Sequence, residues 1–356
     1  MSKSAISAVL GLLAVGILFA QEIAGRPQPT LTPQDSGTKN ALISVSAVNA
    51  RVAWACGRKG TFTVTKDGGK TWKAGTVSGA ETLEFRDVQA VSDKVAYLLS
   101  IGDHPTDFRI YKTTDSGATW TMQFQNQRPK AFYDCFAFWT PTRGIVSSDS
   151  VDGVFPGLLA TDGKTWRDIS ARLPPALPGE GSFASSGTCV ATEGEKNAWI
   201  ATGNSSMARI LATKDGGDTW KAYNTPLESA PGAGAFTVAF RDKRNGMLGG
   251  GSLDPKHSGN AAAAVSHDGG KTWTITNPPP VNGAIYGLSY VSAGKDGRDL
   301  ARAVVVTANQ GGTAWTPDEG ATWFKLPDVS GYWGVTFVDK TGWLVGTDGR
   351  ILRVSF

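Results

Sequence analysis

Six near-copies of one eight-residue box, Ser/Thr-x-Asp-x-Gly-x-Thr-Trp, recur along this 356-residue chain about every fifty residues. Five are full length: Thr65–Trp72, Thr113–Trp120, Thr213–Trp220, Ser266–Trp273 and Thr316–Trp323. A copy one residue shorter, Ala160–Trp166, fills the gap between the second and third. A fixed period of this length marks a repeat architecture, in which a unit buries its apolar face only by stacking on its neighbours. Each box is turn chemistry. Its aspartate (Asp67, Asp115, Asp162, Asp215, Asp268 or Asp318) can accept backbone N–H groups of a hairpin, and glycine takes φ > 0 without a Cβ clash. The Thr-Trp that follows starts the next strand with indole surface to bury. A calcium loop needs several converging oxygens, and each box offers one carboxylate. The six aspartates are therefore expected to be structural, with no metal and no cofactor.

The sequence between boxes is β-type throughout. Trp54-x-x-Gly57-x-x-Gly60-x-Phe62 precedes the first box, and Trp343-x-x-Gly346-x-x-Gly349-x-Ile351 closes the chain in the same manner. Further upstream in several units lies another short strand: Phe85–Val91, Ala235–Phe240, Ile285–Tyr290 and Trp333–Phe337. About four short strands per unit, with Gly/Asp/Asn turns and no helical period, describe an all-β fold. The pattern predicts a seven-bladed β-propeller of four-stranded blades, whose radial closure leaves few exposed edges. The seventh unit, Gly331–Phe356, stops before its box and lacks an outer strand. Thr30–Thr38 is expected to supply that strand and close the ring. Six blades with an appended hairpin is the alternative. The propeller then occupies residues 29–356 as a single domain, expected to be a monomer.

Charge excludes one class of partner. Lys and Arg exceed Asp and Glu by only four, there is no Lys/Arg run, and no helix is available to enter a groove. Nucleic acid is not an expected partner. The first twenty residues are a separate object, with Lys3 as a short positive region and no charge from Ala5 to Ala20. They read as a secretory signal peptide cut after Ala20, with an uncleaved N-terminal anchor as the alternative because Leu18 at −3 is not the favoured small residue. Residues 21–28 read as a linker, and no other stretch is long enough to span a membrane. The protein is expected to be exported, periplasmic or secreted.

The box resembles the Asp box of bacterial neuraminidase-type (BNR) repeats, which occur in sialidases, sortilin-like receptors and the photosystem II stability/assembly factor family. The wider pattern, Trp-x-x-Gly-x-x-Gly-x-Ile/Phe followed by the box, most resembles the assembly-factor type over residues 30–356. The resemblance implies the propeller fold, with the boxes on its outer rim. It does not extend to the sialidase catalytic motifs. Arg-Ile occurs at Arg109-Ile110, Arg209-Ile210 and Arg350-Ile351, never followed by proline. A retaining glycosidase needs two carboxyl groups flanking one bond, and no pair here carries a motif. Nucleophile-elbow, His-metal and dinucleotide motifs are absent, and the chain has only His104, His257 and His267. No catalytic residue can be named. The expected function is a non-catalytic exported propeller that binds a protein or peptide partner, as an assembly or scaffold factor. The alternative is a secreted glycoside hydrolase of sialidase-like fold, with carbohydrate as its ligand and an unrecognised acidic site.

Aligning the repeats places Cys135 and Cys189 in one apolar column with Val45, Val88, Val238, Leu288 and Val335. Cys56 aligns with Leu99, Ala201, Gly249 and Val345. Three buried thiols are expected; a Cys135–Cys189 bridge between neighbouring innermost strands is the alternative. The same alignment puts Ile43, Arg86, Tyr133, Gly187, Phe236, Tyr286 and Trp333 at one level. Ser44, Asp87, Asp134, Thr188, Thr237, Gly287 and Gly334 lie at the next. Because side chains alternate along a strand, the second ring is expected to face the channel and the first to sit near its mouth. The departures from the repeat are Ser147–Gly153 in blade three, the long connection Leu173–Thr188, and Gly249–His257 in blade five. Long polar loops on a rigid scaffold are where function usually resides. The expected ligand site is therefore Arg86, Asp87, Tyr133, Asp134, Tyr286 and Trp333 at the channel mouth, flanked by Asp149, Asp152 and Glu180.

Overall fold

The computed structural model describes residues 28–254, 261–291 and 300–356. The apolar run 1–20, all but the last residue of the linker 21–28, and Lys256-His257 of the blade-five loop lie outside the described residues. Seven four-stranded antiparallel sheets form the ring. Blade 1 runs outward through Leu42–Ala47, Ala53–Gly57, Thr61–Thr65 and Lys73–Thr76. The innermost strands of blades 2 to 7 are Glu84–Ala90, Tyr133–Thr140, Val190–Glu193, Ala233–Phe240, Gly287–Tyr290 and Tyr332–Val338. Antiparallel order puts the connections between strands two and three, and between successive blades, at one end of the ring. The Asp boxes join strands three and four, so they lie at the opposite end and on the outside.

The core is divided among the seams between blades. Trp54, Phe62, Phe85, Val88 and Leu98 join blades 1 and 2, while Leu42, Val45, Trp343 and Ile351 join blade 1 to blade 7. Closure of the ring is by the N-terminal strand. Thr30–Gln34 pairs with Ile351–Ser355 in the register Leu31↔Val354 and Pro33↔Leu352. A proline is tolerated there because this outer strand has no neighbour on its far side. Gln34 also clasps the seam. Its Oε1 accepts the indole N–H groups of Trp72 at 3.0 Å and Trp343 at 3.2 Å, and its Nε2 donates to Gly68 O at 3.3 Å.

Four of the five full boxes make the same knot, and the fifth shares two of its bonds. In the first, Asp67 Oδ1 accepts Thr71 N at 2.9 Å and Thr65 Oγ1 at 2.9 Å, while Thr71 Oγ1 donates to Oδ2 at 2.7 Å. Asp115, Asp215 and Asp268 repeat it, Asp318 accepts Thr322 N and Thr316 Oγ1, and the short Asp162 box keeps Lys164 N and Thr165 N. The Thr71 hydroxyl and N–H hold Asp67 down to about 2. Asp215 also lies at about 2, where bonds from Thr219 and Thr213 outweigh the opposing desolvation. We expect Asp215→Ala to cost about 1–2 kcal/mol, since the freed Thr219 donors are exposed and rehydrate while the buried Thr213 hydroxyl loses an acceptor. A depressed carboxylate pKa stabilises the fold above the unfolded value and stops doing so as pH falls. The difference between wild type and variant in urea titrations should therefore be full above about pH 4 and vanish as pH drops toward about 2.

The cysteines correct the sequence alignment. Cys135 and Cys189 are disulfide-bonded, with Cα atoms 6.0 Å apart; only Cys56 is a buried free thiol. Phe136 pairs with Val146 and Val190 with Ile200, as Val88 pairs with Leu98. Phe136 and Val190 thus hold the apolar column. Each cysteine stands one residue earlier, level with Ser44, Asp87 and Thr237, where neighbouring innermost strands touch side chain to side chain. Ser44 Oγ donates to Asp87 Oδ1 at 3.2 Å at that level. The disulfide is the covalent version of that contact.

Candidate functional site

Bulges at the start of the innermost strands build the channel mouth. Register slips between Leu42 and Ser44, Phe85 and Asp87, Tyr133 and Phe136, Ala235 and Thr237, and Tyr332 and Gly334. Two residues then oppose one, strict alternation fails, and the extra side chain is re-aimed. Arg86, Phe236 and Trp333 are such extra residues, and Asp134 takes the same place in blade 3.

The connection between blades 3 and 4 crosses this mouth as a plug. Phe183 stacks on Phe236 with centroids 3.7 Å apart. Ala184 O accepts Arg86 Nη1 at 2.8 Å, and Ser186 Oγ donates to Tyr286 O at 2.6 Å. Gly187 reaches the far wall, where a Cβ would stand 2.3 Å from Asp87 Oδ1 and 2.5 Å from Ser44 Oγ. Only glycine fits there, and its φ of +78° is in the left-handed region.

Plug and bulges together enclose an open pocket of about 400 Å³. Arg86, Asp134, Asp149, Phe183, Phe236, Tyr286 and Trp333 line it, with Phe132, Ser182, Ala184, Ser185, Asn204, Gly232 and Leu253. The aromatic wall is continuous: Phe236–Tyr286 centroids are 5.8 Å apart and Tyr286–Trp333 centroids 4.9 Å. Burial pushes the Asp134 carboxyl well up, with the Asp149 charge adding to it and Arg86 opposing. Burial also raises Asp149 to about 6, against the hydrogen bond from Ser182 N. Of the five exposed large hydrophobics among the described residues, Val154, Met207 and Leu253 lie on the strand-two-to-three connections of blades 3, 4 and 5, at this same end.

Five of the nine residues expected at the site line the pocket, namely Arg86, Asp134, Asp149, Tyr286 and Trp333. The other four do not. Tyr133 is buried in the seam of blades 2 and 3, its ring 5.5 Å from Phe124. Asp87 is buried below the plug and spends its carboxylate on Ser44 Oγ and on Phe136 N at 2.9 Å. Asp152 is an exposed turn residue with φ 52°. Glu180 is 1% exposed and ion-paired to Arg209, and it also accepts Thr202 Oγ1 at 2.6 Å and Leu177 N at 2.8 Å. It anchors the base of the plug; a buried carboxylate persists only with such partners. Phe183 was missed because an insertion has no register in the repeat. A lone aromatic amid Ser and Gly, in Gly181–Gly187, was its available signal. Among the described residues, no group of three or more His, Cys, Asp or Glu is gathered as metal ligands, and no helix is long and apolar enough to cross a membrane.

Six of the seven blades carry an Asp box, and the ring with its plugged, aromatic-walled mouth is a seven-bladed β-propeller. The BNR/Asp-box repeat family matches residues 264–274, the fifth box. A sialidase from Bacteroides fragilis (strain YCH46) is 25% identical over 317 residues, covering 77% of this chain and 51% of the relative. The chain thus spans about half the length of that relative. YCF48 from Cyanidioschyzon merolae superposes with a TM-score of 0.65 at 16% identity, over 91% of this chain and 98% of the other. YCF48 bound to D1 peptide gives 0.61 at 15% identity, over 93% and 98%. At these identities the structural likeness is one of fold.

Proposed function

We infer that this protein is an exported, non-catalytic propeller that holds a peptide segment of a protein partner in the channel-mouth pocket, as an assembly or scaffold factor does. The observation that carries the reading is convergence. Four blades and the plug deliver Arg86, Phe183, Phe236, Tyr286 and Trp333 to one cavity; Arg, Tyr and Trp are enriched in binding hot spots and Phe in interface cores. The exposed Leu253 adds apolar surface to the pocket wall. A propeller of the same fold, YCF48, is known bound to a D1 peptide, which supports the same use here. Export is supported by the N-terminal apolar run and by the Cys135–Cys189 disulfide, which suits an oxidising compartment.

The test is selection of random twelve-residue peptides displayed on phage against the wild-type protein, followed by affinity measurement on the double variant Arg86→Ala, Tyr286→Ala. Selected peptides should lose at least tenfold in affinity on the variant while its melting temperature stays within a few degrees. Unchanged affinity would remove this face from the account.

One observation favours a second reading, carbohydrate hydrolysis. Asp134 and Asp149 are two carboxyl groups with raised pKa values in one pocket, and a sialidase is similar to this chain in sequence. Against it, a single arginine lines the pocket. Methylumbelliferyl glycosides, the sialoside included, should show no turnover above buffer. Turnover abolished by Asp134→Asn would replace the peptide reading with the enzymatic one.

A further inference from the structure

Two residues lining the mouth pocket, Arg86 and Asp134, each carry a buried polar atom without a hydrogen-bond partner, and Asp134 supplies the only acceptor of the two. Asp134 is 1% exposed, lines the pocket, and its Oδ2 has no hydrogen-bond partner. A buried acceptor left open costs free energy unless a ligand or water supplies the donor. Asp149 lines the same cavity and uses Oδ1 to accept Ser182 N at 3.0 Å. Arg86, the one cation on the wall, is already engaged. Its Nη1 donates to Ala184 O, and its Nε stands 3.1 Å from Glu84 Oε1. An anionic ligand group would meet two carboxyl groups and a guanidinium with its charge already matched. A cationic one would meet two carboxyl groups and the contiguous faces of Phe236, Tyr286 and Trp333, the surroundings that favour an ammonium or guanidinium.

We propose that the Asp134–Asp149 corner receives a cationic group of the bound peptide, a lysine or arginine side chain, with the flanking residues lying on the aromatic wall. This rests on the peptide-binding reading above and specifies its ligand. The bond formed is a charge-assisted N–H to Asp134 Oδ2, which satisfies the orphaned acceptor. Charged and titratable groups near the corner are Glu84, Arg86 and Asp87 of blade 2, Arg58 behind Glu84, and Tyr286 of blade 6. With Asp149 held up to about 6 by burial, binding should strengthen as pH rises from 5 to 7 and Asp149 ionises.

The phage-selected peptides supply the probe. Among those that depend on Arg86 and Tyr286, Lys or Arg should be enriched severalfold at one position over the starting library. Changing that residue to Gln should weaken binding at least tenfold on wild type and by much less on Asp134→Asn or Asp149→Asn. Acetylating the peptide N-terminus should change nothing; a large loss on acetylation would move the assignment from the side chain to the α-amine and overturn it. Asp149→Asn serves as the second variant should Asp134→Asn fail to fold. Pocket-dependent peptides without a basic preference, or binding both Asn variants as tightly as wild type, would overturn the cation assignment and leave peptide binding standing. No pocket-dependent peptide at all would sink the peptide reading itself.

Discussion

Deleting residues 30–34 should lower the melting temperature by roughly 10 °C, or make the protein aggregate on expression. The strand Ile351–Ser355 would lose five paired residues, worth together about 5 kcal/mol at about 1 kcal/mol each. At about 2 °C per kcal/mol for a domain of this size, that gives the expected shift. The deletion also exposes Ile351, Leu352 and Val354, now at most 5% accessible, as a bare apolar edge. It takes Gln34 from between Trp72 and Trp343 as well. Gln34→Ala alone should reproduce a small part of the loss. A deletion variant that melts with the wild type would mean that the ring is held shut without its latch.

Removing the disulfide by Cys135→Ala with Cys189→Ala should cost about 2–4 kcal/mol in urea denaturation. The bond closes a loop of 54 residues in sequence separation that includes the whole plug. Its loss should loosen the plug before the outer strands, which proteolysis between Leu173 and Ser186 would report. Denatured, unreduced protein should titrate one thiol, that of Cys56, whose burial pushes its thiol up and keeps it inert in the folded state. Three thiols titrating without reductant would contradict the bridge.

The boxes made the fold legible because a turn with Asp, Gly and Thr-Trp at fixed offsets can be counted. The incomplete seventh unit made the latch at Thr30–Gln34 legible for the same reason. The inner strands were harder. Alternation placed Asp134 with Asp87, but a bulge inserts one residue with no signature in the sequence, and Asp134 stands level with Arg86 instead. The same slip hid the disulfide in an apolar column. Glu180 was recognisable as unusual yet not as buried, since its partner Arg209 lies 29 residues away on another strand. The plug carries no periodicity, so its path across the mouth follows only from contacts such as Arg86 to Ala184, 98 residues apart.

The most direct test of the account is amide hydrogen exchange of the full protein with and without a saturating phage-selected peptide. A site at the channel mouth predicts slowed exchange in Phe132–Asp134, Ser182–Gly187 and Tyr332–Gly334, with the Asp boxes unchanged. Protection confined to the outer side, for instance at the roughly 570 Å³ groove of Phe62, Trp72 and Asp115–Ala118 between blades 1 and 2, would contradict it.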